Sequence, residues 1–447
     1  MHRQPAHFVC RIGFVLLCVL PTAAVAGWIV QRSLPGFVLS ARQEWEQELS
    51  RQLGLRVTCA AVEYPRHDTA ELTDVMFADP ETGAAVASAR SLELVCSGER
   101  WKLIGWQVVV ETAQLPLLRT QLDQRLLRRE ASSHVTNACE IWLREVTLHD
   151  TSHSLTLVDV AGAWKSTATG PECALSFRLP EADPQQPRGE WLVQRNRQTV
   201  PPATRWQLKT GNLTLPLNIA AAAWPALARL GPGAQFSGEL EIVQANTEVS
   251  GALRGTLFDV DLDSLVSEQL PHRLSGIAVC KIEDARLERN QITLVRGTCQ
   301  ARDGSLSPSL LASAAEHLQL TAPPPETLAG AHAVPYRNLS VGFDLRATGL
   351  QLTGTADPLR SGVLIATATG SLLEAPPQHQ AAASGLLAAL IPTSERLTRQ
   401  GRYLADILPA VPLQPQHLAR EPQQHVPLRM HPSRDAQSPA IRPPQLR

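Results

Sequence analysis

Residues Phe236–Leu320 read FSGELEIVQANTEVSGALRGTLFDVDLDSLVSEQLPHRLSGIAVCKIEDARLERNQITLVRGTCQARDGSLSPSLLASAAEHLQL. Short runs of Val, Ile, Leu and Thr alternate with Gly, Asn and Asp at the spacing of antiparallel strands joined by tight turns. Leu274–Asp284 and Gln291–Ala301 read as the arms of one hairpin turning at Arg289-Asn290. A loop centred there sets Glu288 opposite Gln291 and Leu287 opposite Ile292, and carried along the arms it sets Cys280 opposite Cys299. Cross-strand neighbours approach to ~4.5 Å at Cα, within the range a disulfide accepts. A cross-strand contact between Cys280 and Cys299 is therefore expected. In an oxidising compartment it is a disulfide; the alternative is two free buried thiols.

Outward from this stretch, the same texture fills most of the chain. The 447 residues carry a formal charge of −1, with no concentrated basic face of the kind a nucleic-acid binder needs. Hydrophobic residues at 44% are ample for a core, which excludes wholesale disorder. The reading is of a mainly β protein, an elongated twisted antiparallel meander sheet forming a groove, with a few short helices.

The N-terminus points to a membrane. Residues 1–11 carry Arg3 and Arg11 and no acid; residues 12–30, IGFVLLCVLPTAAVAGWIV, are free of charge. Those residues, if helical, rise ~28 Å, enough to cross the hydrocarbon core. Ala24-Val25-Ala26 is a cleavage-like signature, whereas the apolar run continuing through Trp28 and Val30 favours an uncleaved signal anchor. Either way residues 1–11 stay cytoplasmic and the bulk of the chain lies outside, in a bacterial envelope the periplasm. Within 31–53 Ser40 and Gln43 suggest a capping box. Trp45, Leu49 and Leu53 form one apolar stripe, and Gly54 suits a left-handed C-cap. This helix either lies on the membrane surface or plugs the end of the β structure.

Residues 55–96 then read as strand, turn and strand, with "L-x-D-V-x-F-x-D-P-x-T-G" at 72–83. The match to Leu53, Gly54, Leu72, Asp74, Val75, Asp79, Pro80 and Gly83 resembles the N-terminal module of AsmA-like proteins of the repeating β-groove superfamily. Val146–Val160 repeats a hairpin with "L-x-D-V", and Phe236–Ser309 resembles the family's C-terminal block. The resemblance is diffuse, covers about 54–375, and rests on turn and strand patterns. It implies a single-pass inner-membrane anchor, an apolar concave face and a role in moving or organising lipid in the envelope. It carries over no catalytic or ligand residue.

Val249, Leu253, Leu257, Ala278, Ile282 and Ile365 are the expected lipid-facing residues, and the expected partner is a phospholipid or another acyl-chain lipid at the inner membrane, with envelope protein partners unspecified. A non-catalytic scaffold for envelope or secretion assembly is the alternative. No enzyme, cofactor, metal or nucleic-acid role is read. His149-Asp150-Thr151-Ser152-His153 gathers triad residue types, but adjacent residues in a turn cannot converge as a triad does. Asp259, Asp261 and Asp263 lack the offsets of a Ca²⁺ loop. Cys139 and Cys173 are expected two strands apart, ~9–10 Å, as single buried thiols. Residues 376–408 read as helical. The tail 409–447, with nine Pro in 39 residues, reads as disordered.

Overall fold

The computed structural model describes residue 22 and residues 35–97, 100–128, 138–150, 153–183, 185–222, 224–268, 270–324 and 331–391. The apolar run 12–30 (Thr22 excepted), residues 392–408 and the tail 409–447 lie outside the described residues. Among the described residues no helix is long and apolar enough to cross a membrane.

The chain is mainly β. Helix α1 (Pro35–Leu53) leads into β1 (Arg56–Thr58), β2 (Ala61–Arg66), β3 (Thr69–Ala78), β4 (Ala85–Ser97) and β5 (Arg100–Glu111). A helical crossover follows: a 3-10 turn at Thr112–Gln114, α2 (Leu115–Gln121) and a π-helical turn at Leu122–Leu127. Then come β6 (Cys139–His149), β7 (Ser154–Ser166), β8 (Pro171–Arg178), β9 (Gly189–Asn196), β10 (Ala203–Lys209) and β11 (Leu215–Pro216). After the short α3 (Asn218–Ala221), β12 (Gln235–Ala245), β13 (Glu248–Asp261), β14 (Leu274–Glu288) and β15 (Gln291–Leu306) form the block quoted first. Helix α4 (Pro308–Leu318), β16 (Val334–Arg346), β17 (Gly349–Gly354), β18 (Val363–Ala366), β19 (Ser371–Glu374) and α5 (Ala383–Leu390) complete it.

Among the described residues, nineteen strands belong to one sheet. Most strands pair with their neighbours in the chain, while β1 pairs with β3, β10 with β12 and β16 with β18, and one ladder departs from the expected antiparallel meander. β5 and β6 are parallel, Trp101 beside Cys139 and Glu111 beside His149. The cause is the crossover between them, long enough to return the chain to the end of the sheet it had left. The sheet is therefore mixed. It is also open: no ladder among the described residues joins β19 to β1 or β2.

One motif explains how the strands stay amphipathic. Leu and Val in L-x-D-V are three residues apart, a spacing that a flat strand places on opposite faces. In this chain Asp74, Asp159 and Asp259 adopt left-handed backbone, φ 47°, 51° and 52°. Each adds a residue to the outer face, so that Val75, Val160 and Val260 return to the inner face, where they are buried. Aspartate suits the position because its short polar side chain tolerates left-handed backbone better than most.

The hairpin β14–β15 turns at Arg289 and Asn290, both left-handed (φ 49° and 67°), the geometry of a two-residue type I′ turn. Its register shifts by one residue at Thr293 and shifts back at Glu283, so Cys280 still stands opposite Cys299.

Both sheet edges are covered. At the first, α1 lays Trp45, Leu49 and Leu53 on the core around Leu72 and Val75. Its polar side chains then bond the edge: the Val57 N–H donates to Ser50 Oγ (2.9 Å) and the Cys59 N–H to Glu46 Oε1 (3.0 Å). The helix plugs the end of the sheet. It starts at Pro35, a residue suited to a helix's first turn, so Ser40 lies inside it rather than capping it. Gly54 ends it at φ 70°, its N–H donating to the Ser50 carbonyl. At the other edge, Leu350 and Ala381 exchange backbone hydrogen bonds beside β17, and Thr321 and Glu374 do so beside β19.

Candidate functional site

The feature that stands out is a row of side chains crossing the sheet on one face. Starting at β3, Ala70 pairs with Leu94, Leu94 with Leu103 and Leu103 with Ile141. Ile141 then meets Gly162, Gly162 meets Leu175 and Leu175 meets Trp191. Trp191 stands beside Leu208, Leu208 beside Leu240 and Leu240 beside Leu253. From Leu253 the row continues through Ala285, Val295, Leu345 and Leu350. Every member is apolar or glycine, from β3 to β17. Gly162 has no substitute there, since a Cβ would collide with the Ala174 carbonyl. The outer face is mixed: the comparable row there runs from Glu71 and Glu93 through Ile104, Trp142, Ala161 and Ser176 to Glu190, Lys209, Glu239 and Arg254.

Coverage of the row is uneven. Ala70 at one end and Leu345 and Leu350 at the other are buried. Between them, every member from Leu94 to Val295 is only half-buried. The first end lies under α1 and the last beside a core formed with α4 and α5 through Leu311, Ala314, Leu318, Ala383 and Ala389. In the middle, Leu122 and Leu127 of the crossover's π-helical turn rest on Trp164, Cys173, Val193 and Trp206.

The six residues expected to face lipid share this face. Leu253 is in the row itself, and Leu257 and Ile282 pair on one side of it, with Cys280 and Gly255 respectively. Val249 lies towards the other margin, opposite Gln244. Ala278 and Ile365 correct the expectation: at 0% and 5% exposure they are core residues of the cluster closed by α4 and α5, and present no surface to a ligand. Of the expected residues, Val249, Leu253, Leu257 and Ile282 stand half-buried on this face, together with Leu94, Leu103, Ile141, Leu175, Trp191, Leu208 and Leu240. Alternation within each strand was the signal for these; the registers that align them are not written in any single strand.

A second row on this face alternates thiols and indoles: Cys96, Trp101, Cys139, Trp164 and Cys173. Trp164 stands between Cys139 and Cys173, which are thus two strands apart. Burial pushes the Cys173 thiol up to about 12, so it stays protonated. The Cys280 and Cys299 Sγ atoms lie 2.7 Å apart.

The residues weighed for chemistry serve the backbone. The Asp261 carboxylate accepts from the Asp263 N–H and from Ser264 Oγ. The Asp79 carboxyl accepts from the Glu81 N–H and the Thr82 hydroxyl; these bonds, the Thr82 hydroxyl's first, hold it below the usual carboxylate range. The Asp150 N–H donates to the His153 carbonyl across a turn, and residues 151–152 lie outside the described residues. Among the described residues no group of three His, Cys, Asp or Glu is placed to hold a metal ion. Compared with known proteins, the chain matches no family model, no curated protein and no solved structure.

Proposed function

We propose that this chain binds acyl-chain lipid along the apolar row and acts in the bacterial envelope, anchored in the inner membrane by residues 12–30, to transport or organise phospholipid between membranes. The observation that carries the reading is the unbroken row from Leu94 to Val295, every member apolar or glycine and half-buried, on a sheet whose opposite face mixes charged and apolar residues. An acyl chain laid on such a surface leaves water at a gain of ~0.8 kcal/mol for each buried CH₂. At ~4.8 Å per strand the stretch from Leu94 to Val295 runs roughly 48 Å along the ladder, about one and a half times the thickness of a bilayer's hydrocarbon core. The L-x-D-V and D-P-x-T-G patterns, which resemble AsmA-like β-groove proteins, support the same reading. The chain acts on lipid by binding, with no catalytic step.

A second reading, a non-catalytic scaffold, draws on the closure of the C-terminal end by α4 and α5 and on the covered sheet edges. Native mass spectrometry of the full chain, released from detergent, separates the two. Co-purified phospholipid adducts support lipid binding; a lipid-free mass at full recovery supports the scaffold.

A further inference from the structure

The apolar row is bordered on one side by a cluster of arginines. On β9, Arg195 continues the inner face beyond Trp191 and Val193 and stands opposite Thr204, to whose Oγ1 its Nη1 donates (2.7 Å). Arg119 of α2 lies across the same margin. Its guanidinium is 5.7 Å from the ring centres of both Trp206 and Trp224, and it donates to Gln244 Oε1 (3.2 Å). Arg128 and Arg197 complete the group. Arg128 Nε is 2.6 Å from Asp123 Oδ2, and Arg197 donates to the Leu127 carbonyl at the end of the π-helical turn. A cleft of about 280 Å³ opens here between Arg119, Thr120, Asp123, Trp206 and Gln244.

Among the described residues that bear electrostatically on Arg195, the cations Arg128 and Arg197 outnumber the one acid, Asp123. Loss of water first, and then repulsion from Arg128 and Arg197, make the charge on Arg195 harder to hold than on an ordinary arginine, with Asp123 opposing them. Cations are gathered beside a wall of Trp206, Trp191 and Val193, half-buried or buried. Guanidinium groups match phosphate oxygens in geometry and charge.

We infer that this margin is a headgroup site: Arg119, Arg128, Arg195 and Arg197 hold the phosphate of an anionic phospholipid whose acyl chains lie on the row beginning at Trp191. The inference rests on the lipid-binding reading and names its substrate class. The crossover brings Arg119 and Arg128 from between β5 and β6 to strands β9 and β10, so one segment both covers part of the wall and supplies half of the cations. A second arginine-lined cleft, with Arg302, Arg337 and Arg360, also contains Asp303 and Asp357, and its Arg360 is paired with Glu374. It lies on the outer face, away from the row.

The test uses the full chain in non-ionic detergent, with fluorescent phosphatidylglycerol, diacylglycerol of the same acyl chains, and inorganic phosphate as probes. Phosphatidylglycerol is expected to bind at least tenfold more tightly than diacylglycerol. The double variant R128Q/R195Q is expected to lose that preference while binding diacylglycerol as the parent does, with an unchanged melting curve. R128K/R195K, which keeps the charge, is expected to retain most of the preference. Equal binding of both lipids by the parent, or a preference that survives R128Q/R195Q, overturns the headgroup site and leaves the apolar row standing. Binding of neither lipid overturns both, and phosphate binding alone in that case marks the margin as a site for the free anion.

Discussion

Cys280 and Cys299 face one another across β14 and β15 with their sulfur atoms 2.7 Å apart, on the same sheet face as the apolar row. The hydrogen bond between the two thiols holds Cys280 below its usual value. The same bond, with burial added, pushes Cys299 far above it.

In the reduced protein, limiting iodoacetamide at pH 8 is therefore expected to alkylate Cys280 before Cys299, read by peptide mapping. Mild oxidation is expected to join them, with the loss of two hydrogen masses. By the loop-entropy argument the bond raises stability by about 3 kcal/mol, seen as a higher urea midpoint in the oxidised form. Equal alkylation of both thiols together with no oxidation contradicts the pairing.

His379 ties three segments together. The Leu352 N–H donates to its Nδ1 (3.1 Å) and its Nε2–H donates to the Leu318 carbonyl (2.6 Å), with the ring fully buried. His379→Ala strands both backbone groups, each at about 1–3 kcal/mol. A loss of several kcal/mol in denaturant unfolding is expected; a change under about 0.5 kcal/mol, the scale of ordinary surface substitutions, contradicts it.

The left-handed aspartates make a sharper distinction. Asp259 sits at φ 52° in β13. Asp259→Gly keeps that conformation open and is expected to change stability by less than about 1 kcal/mol, whereas Asp259→Val is expected to cost about 2 kcal/mol or more. If the two variants unfold alike, the bulge is not what returns Val260 to the inner face.

Glu46 and Ser50 guard an edge. Removing both in E46A/S50A leaves the Val57 and Cys59 N–H groups facing outward, a template for strand pairing with another copy. The variant is expected to self-associate in light scattering at concentrations where the parent does not.

Much of this was legible in the sequence, for reasons that differ from element to element. The β14–β15 hairpin declared itself because Arg289-Asn290 is a turn flanked by alternating strands, and the two register shifts cancel before Cys280. The stripe Trp45–Leu49–Leu53 and Gly54 marked the end of α1. The parallel pairing of β5 and β6 was hidden, because a helix between strands permits either direction. Ala278 and Ile365 were misplaced because small and aliphatic residues look alike whether they line a wall or fill a core; only the packing of α4 and α5 separates the two. The arginine margin was hidden for the same reason as the long row. Arg119 and Arg195 are distant in sequence, and the helix reading of residues 112–130 leaves its Arg119, Arg125, Arg128 and Arg129 as a solvated face first and an anionic-lipid patch second.

The most direct test of the apolar row is photocrosslinking. The full chain is loaded with a phospholipid carrying a diazirine in its acyl chain, irradiated, digested and mapped. The account expects adducts on β8 to β13, centred on Leu175, Trp191, Leu208, Leu240 and Leu253. Adducts confined to outer-face residues such as Trp142 and Ile277, or to residues 12–30 alone, would contradict it.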